Sequence, residues 1–525
     1  MNERTRLGLS ILPVAALGGI LGDQLLRSMP WGLNVSLCTL ALVAGIAWIV
    51  RARRLPVTPD APWLAITALL CAAAFVRRDS PALHFLDLLG LILVLALGAL
   101  SLQSARLQLR GVAAYPLAVL RSAGTALVGS LPLLFGDIAW AELPRSERMG
   151  QLRAVGVGVL IAVPLLAVFG ALFASADRTF AFVARETLHF DPQALFLHAF
   201  FILFWGALVA GYLRGALLGK PEWVTVGERL SPQGFSLTFT TAATTLGLLN
   251  LLFVIFVGLQ ASYLFGGAAY VQRATGLTLA EYARHGFFEL VAASSLVLPL
   301  LLGADWATTR NTTEQRTSFR ALIALMVLLV GVMLASALQR MALYVQAFGL
   351  TELRVYTTAF MAGLAGIFAW FTWTVLRGRR ERFAFGALVQ GWVVLAGLHV
   401  LNPDAFIARV NLGRAIAGQE IRDPTEHGAK DSTVTQTPTV RAEPDVRYLA
   451  GQLSADAVPE LLAAMPRLSS QNQQAVSEAL LRRWADSTRR DWRSWNWSAA
   501  RATRLVHARR SELMALLPPA TDAKR

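Results

Sequence analysis

The chain has 525 residues, 55% of them apolar and only 15% charged, with a mean hydropathy of +0.51. Soluble domains carry about 25% charged residues, so this composition excludes an ordinary soluble protein. The net charge of +15 does not make it a nucleic-acid binder: the basic residues, nearly all arginine, sit in connections between apolar runs rather than on one continuous face.

In chain order the apolar runs are Leu7–Leu26, Trp31–Val50, Pro62–Val76, Ala82–Leu100, Gly156–Phe173, Phe196–Leu213, Thr238–Gln260, Phe287–Gly303, Ala321–Leu338, Val355–Leu376 and Phe383–Val400. Ten of them approach the ~20 residues that span hydrocarbon, and Pro62–Val76 is shorter. Together they predict an all-α, polytopic transmembrane bundle of about eleven spans. Arg4 and Arg6 before the first run suggest a signal peptide, but Gly22, Asp23 and Arg27 follow without a small-residue cleavage site, so it reads as a retained span. Cys38 and Cys71 both lie in spans, so there is no disulfide framework.

Arginine and lysine near a span resist translocation, and here they alternate along the chain. With the N-terminus inside, inner connections carry 21 basic residues, from Arg4 to the Arg377–Arg382 cluster, against 9 in outer ones. This predicts an inner-membrane protein with a cytoplasmic N-terminus. The domains expected are N-terminal spans at 1–110, an interfacial or re-entrant segment at 111–150, a core bundle at 151–411 and a linker at 412–444. Residues 445–518 show amphipathic spacing (Leu449, Leu453, Leu461, Leu462, Val476, Leu480) and form a small helical extramembrane domain of three or four helices, periplasmic by parity. Its Trp484, Trp492, Trp495 and Trp497 are expected mainly in that domain's core, with stacking on sugars or a place at the membrane interface as the alternative.

Ionisable groups at span ends are costly and usually face a protein interior or a cavity. Here they collect on the outer side. Asp23, His84, Asp87, His198 and His399 sit at outer span ends, and the candidate polar cluster is Asp177, Arg178, Glu281, Tyr282, Arg284, Glu289, Glu352, Arg354, Tyr356, Asn402, Asp404, Arg409 and Asn411. Caps and ion pairs tying helix ends together compete with a binding cleft: Asn402-Pro403-Asp404 reads as a helix stop, and Asp177 or Thr351 as caps. No Walker A, no GxSxG and no HExxH occurs, which argues against a nucleotide-driven pump and supplies no catalytic residue, metal site or cofactor.

Four stretches, Ser175-Ala176-Asp177, Tyr282 through Glu289, Tyr344 through Tyr356 and Asn402 through Asn411, resemble signatures of a bacterial multi-pass membrane family of unknown function, domain of unknown function 4173, related to 4153. Asp445, Tyr448, Leu453, Ser454, Asp456 and Val458 resemble that family's extension after the last span. The resemblance implies a bacterial inner-membrane protein without an established activity, and no catalytic residue. The expected function is binding, sensing or scaffolding at the periplasmic face. The expected partners are the lipid bilayer and a periplasmic or membrane protein docking through the C-terminal domain, with no nucleic acid. A secondary transporter using Asn250 or Ser294-Ser295 at the midplane is the alternative, and an envelope-lipid or glycan enzyme using Asp404 or Glu352 a third.

Overall fold

The computed structural model describes residues 1–103, 111–142, 192–219, 237–265, 287–417, 445–485 and 491–518, with 155, 158, 162, 165–166, 168–170 and 172–183. Among them the chain is all-helical, and nine helices are long and apolar enough to cross a bilayer. These are α1 (Glu3–Leu26), α2 (Leu33–Ala52), α4 (Pro81–Leu102), α6 (Pro192–Leu218), α7 (Phe239–Phe265), α8 (Phe287–Ala307), α9 (Thr313–Phe348), α10 (Glu352–Thr374) and α11 (Phe383–Leu401). The apolar α3 (Ala61–Arg77) is shorter, and the predicted span at 156–173 is described only in part.

Two helical groups form the bundle. In the first, α1 and α6 cross so closely that a Cβ on Gly18 would meet Val209 Cγ2 at 2.9 Å, while Gly19 faces Gly206. Small residues let backbones approach where no water drives helices together. The second group, α7 to α11, shares a core that includes Leu246, Phe319, Met326, Met361 and Phe371. Trp392 of α11 joins the groups by lying against Gly90 of α4, where a Cβ would meet its ring at 2.7 Å.

Helix α9 runs 36 residues, well beyond the predicted Ala321–Leu338. At 1.5 Å per residue it is about 54 Å long, against roughly 30 Å of hydrocarbon. Its start is fixed by Thr312, whose side chain accepts from Gln315 N, while Gln315 reaches back to Asn311 N. The excess length extends α9 beyond the predicted span at both ends.

At the end of the bundle that holds Arg4, α5 (Ala114–Val128) bends by 58° into the stretch Ser130–Asp137. Asp137 closes that end by accepting from Arg4 Nε at 2.8 Å and Arg214 Nε at 2.5 Å. Arg121, midway along α5, donates to Gln103 at 2.7 Å.

The opposite end is covered by α12 (Pro403–Ile416) and a C-terminal domain. That domain comprises α13 (Val446–Gly451), α14 (Val458–Ala464), α15 (Ser470–Trp484), α16 (Trp497–Ala508) and α17 (Arg510–Ala515). Its core of Leu449, Leu461, Val476, Leu480 and Val506 continues without a break into Ile407, Ala408 and Leu412 of α12. Trp484 is buried there, but Trp492, Trp495 and Trp497 are 63%, 41% and 51% exposed, which corrects the expectation of a core role for all four. Trp495 and Trp497 instead stand beside Ser36, Val76 and Arg77 at the ends of α2 and α3.

Candidate functional site: a buried polar joint

Helix α11 stops at Leu401 because Asn402 adopts the left-handed conformation (φ 54°), which asparagine tolerates better than most residues. Pro403 then starts α12, its missing N–H being one the first turn leaves unpaired anyway. This sharp reversal puts Asp404, 0% exposed, directly beneath the C-terminal domain. Ser454 donates to its Oδ2 through the hydroxyl and through the backbone N–H at 3.2 Å. The Glu352 carboxyl, opening α10, faces the same group. Burial pushes the Asp404 carboxyl above its usual range and the Asp456 charge adds to this, while the Ser454 and Glu352 hydrogen bonds oppose it.

Asp456 is the second node. Its carboxylate accepts from Arg78 Nη1 at 3.0 Å, Asp79 N at 2.9 Å and Ser498 Oγ at 2.7 Å. Arg78 Nη2 also donates to His399 O at 2.5 Å, tying the α3–α4 turn to the end of α11. Below it, His399 Nε2 meets Asp87 Oδ1 at 2.8 Å. The carbonyls that α3 leaves open at its end are taken by the domain: Asn496 Nδ2 donates to Phe75 O at 2.7 Å and to Arg78 O, and Ser498 Oγ to Arg77 O.

The α9–α10 joint is built on backbone recognition. Asn411 Oδ1 accepts from Leu350 N and its Nδ2 donates to Leu350 O, both at 2.8 Å. Gly349 has φ 74°, and a Cβ there would lie 2.8 Å from Asn411 Oδ1, so conformation and space both require glycine. Arg354 donates to Phe348 O and Gly349 O, closing the carbonyl end of α9, and lies 4.1 Å from the Tyr344 ring. Tyr448 Oη accepts from Glu352 N, a capping role for which Thr351 makes no side-chain bond.

A second contact secures the domain at the α1–α2 turn. Ser28 Oγ donates to Asp491 Oδ2 at 3.2 Å, Arg493 Nη1 to Gln24 O at 2.5 Å, and Leu33 N to Trp495 O at 3.0 Å. Nearby, Asp23 accepts from Arg27 at 3.2 Å and meets His198 Nδ1 at 2.6 Å.

Of the sequence-predicted cluster, Glu352, Arg354, Tyr356, Asn402, Asp404, Arg409 and Asn411 come together. Tyr356 pairs with Ser80 at 3.3 Å, Arg409 with Glu460 at 2.6 Å, and Asn402 contributes its backbone rather than a side-chain hydrogen bond. Arg354 satisfies carbonyls instead of setting a field with Glu352. Asp177 caps the short helix Arg178–Phe182 by accepting from Thr179 N at 2.7 Å; it and Arg178 are exposed. Glu289 is exposed in the first turn of α8. Glu281, Tyr282 and Arg284 lie outside the described residues. Sequence reasoning missed Arg78, Asp79, Asn496 and Ser498 as members. Their only signal was that Arg78-Asp79-Ser80 fills a very short turn between two apolar runs.

The joint thus defines a polytopic, all-helical membrane protein whose C-terminal domain is fastened to one end of the bundle through buried polar groups. The domain-of-unknown-function family DUF4153 matches residues 64–464, and the chain belongs to that family. The family shown is 4153; 4173, whose signatures the four stretches resemble, is not the one matched here. The match runs through α14, taking in Asp404, Ser454 and Asp456. No curated protein and no solved structure matches the chain.

Proposed function

We propose that this protein is an inner-membrane scaffold, with a cytoplasmic Arg4 end and a C-terminal domain held on the periplasmic side as a fixed platform for an envelope protein. The observation that carries this reading is the saturation of Asp456. It takes donors from the α3–α4 turn and from the domain's own Ser498, so the platform is keyed to the bundle and not left on a tether. The arginine bias supports the orientation.

The test places a photo-crosslinking residue at the exposed Trp492, Trp497 or Met514 in intact cells. A discrete adduct in the parent chain, lost in Arg78→Ala at equal chain level, is the expected result. Absence of any adduct from all three positions, or an adduct indifferent to Arg78→Ala, overturns the scaffold.

Transport is the second reading, favoured by two buried mid-helix oxygens. Asn250 Nδ2 donates to Leu322 O at 2.9 Å while its Oδ1 has no partner, and Ser294 Oγ has none. Neither borders the apolar slot between α2, α3 and α4. An enzyme acting through Asp404 gains no support from this geometry, since that carboxyl is sealed under Ser454.

A further inference from the structure

Helix α2 touches α1 and α3 but stands away from α4 and α6 in the half of the bilayer nearest Arg4. The gap is an apolar slot of about 590 Å³ walled by Val50, Ala65, Leu95 and Gly98, with Tyr212 on its floor. Along α2 it runs from Val43 to Arg51. That is about 12 Å of helix, close to the hydrocarbon depth of one leaflet.

At its mouth the slot meets a second cavity of about 540 Å³ that is polar, bordered by Glu3, Arg4, Arg6, Arg53 and Arg54. Arg54 and Leu55 line both. Arg4 is engaged by Asp137 and Arg53 donates to Ser10 Oγ at 2.7 Å. Among the described residues the Arg6, Arg51 and Arg54 side chains form no ion pair or hydrogen bond.

Arg54 also sits where the backbone does not favour it. Leu55 N donates to Val50 O at 2.9 Å and Arg54 N to Arg51 O at 3.3 Å, the paired bonds of a helix stop whose left-handed position usually holds glycine. Here that position is Arg54, at φ 50°. An arginine costs about 1 kcal/mol more than glycine in this conformation, so folding does not account for it.

An apolar slot one leaflet deep, opening into an arginine-lined basin at the membrane surface, has the amphipathic shape of a single lipid. We propose that it holds one anionic glycerophospholipid of the Arg4-side leaflet. Its acyl chains lie between α2, α3 and α4, and its phosphate is bound by Arg54 with Arg6 and Arg51. The site stands apart from the domain joint and does not depend on the scaffold reading.

The experiment uses the full chain purified in mild detergent, with native mass spectrometry after adding phosphatidylglycerol, phosphatidylethanolamine or inorganic phosphate. Arg54→Gly relieves the backbone, so its melting temperature should equal or exceed that of the parent. Its retention of phosphatidylglycerol should nevertheless fall about fivefold, the weight of one arginine at a lipid surface. Ala65→Phe, which fills the slot and leaves the arginines in place, should also lose the lipid. Preference for phosphatidylglycerol over phosphatidylethanolamine, with no competition from inorganic phosphate, supports the site. Unchanged retention in Arg54→Gly and Ala65→Phe, or displacement by phosphate alone, overturns it.

Discussion

The two ends of the bundle handle charge in opposite ways. At the domain end, Asp456, Asp404 and Asn411 are buried and Arg78 half-buried, each held by hydrogen bonds, with the C-terminal domain supplying many of the partners. At the Arg4 end, arginines line an open basin, and two of them, Arg6 and Arg54, engage nothing among the described residues. The chain therefore gathers most of its buried carboxylates at one face, while at the other Asp137 binds Arg4 and Arg214 and leaves Arg6 and Arg54 free among the described residues. A buried ion is tolerable only when paired, whereas an arginine at a membrane surface finds lipid phosphate or water.

The sharpest way to break this contrast is Arg78→Ala. It leaves Asp456 buried without its cation, a loss of about 3–5 kcal/mol, and should release the C-terminal domain. Hydrogen exchange over residues 445–485 reads this, and unchanged protection would mean the joint is not cohesive. Asn411→Ala strips both backbone partners from Leu350 and should cost about 2–3 kcal/mol, measured as a lowered melting temperature.

Smaller, and diagnostic in sign, is the pH dependence set by Asp404. Burial raises its folded-state pKa above the ordinary 3.8, so the folded chain binds that proton more tightly than the unfolded chain. The stabilisation is complete below the unfolded value and is lost as pH rises through the elevated folded one. Domain protection should thus decline on going from about pH 4 upward, and Asp404→Asn should flatten the slope. A rising profile in the parent would contradict the assignment. At the bottom of the scale, Arg409→Ala removes an exposed pair with Glu460 and should shift stability by no more than about 0.5 kcal/mol. A large loss there would mean the joint extends to the surface.

Much of the architecture was legible because hydrocarbon imposes simple rules on length and charge. Apolar runs marked the helices, and the Gly349–Tyr356 and Asn402–Asn411 stretches drew notice through polar residues that bilayers rarely keep. The roles were less readable. Arg354 and Asn411 serve backbone atoms of Phe348, Gly349 and Leu350, and no side-chain pattern encodes such partners. Asp79 meets Ala455 across 376 residues of sequence, a contact that only tertiary folding reveals. The amphipathic period located α13, α14 and α15, yet it could not separate the buried Trp484 from Trp492, Trp495 and Trp497, which face outward. The overlong α9 escaped because its polar first turn reads as loop until Thr312 and Gln315 are seen to cap it.

The capping of α3 by Asn496 and Ser498 bears on biogenesis. The carbonyls of Phe75 and Arg77 find these partners only after more than four hundred further residues have left the ribosome. Until then that helix tip is satisfied by water or lipid headgroups, and the nascent bundle persists with an unfinished edge. A chain terminated before the last hundred residues would insert its spans yet expose that edge to quality-control proteases, so its lifetime in the cell is decided by its final segment.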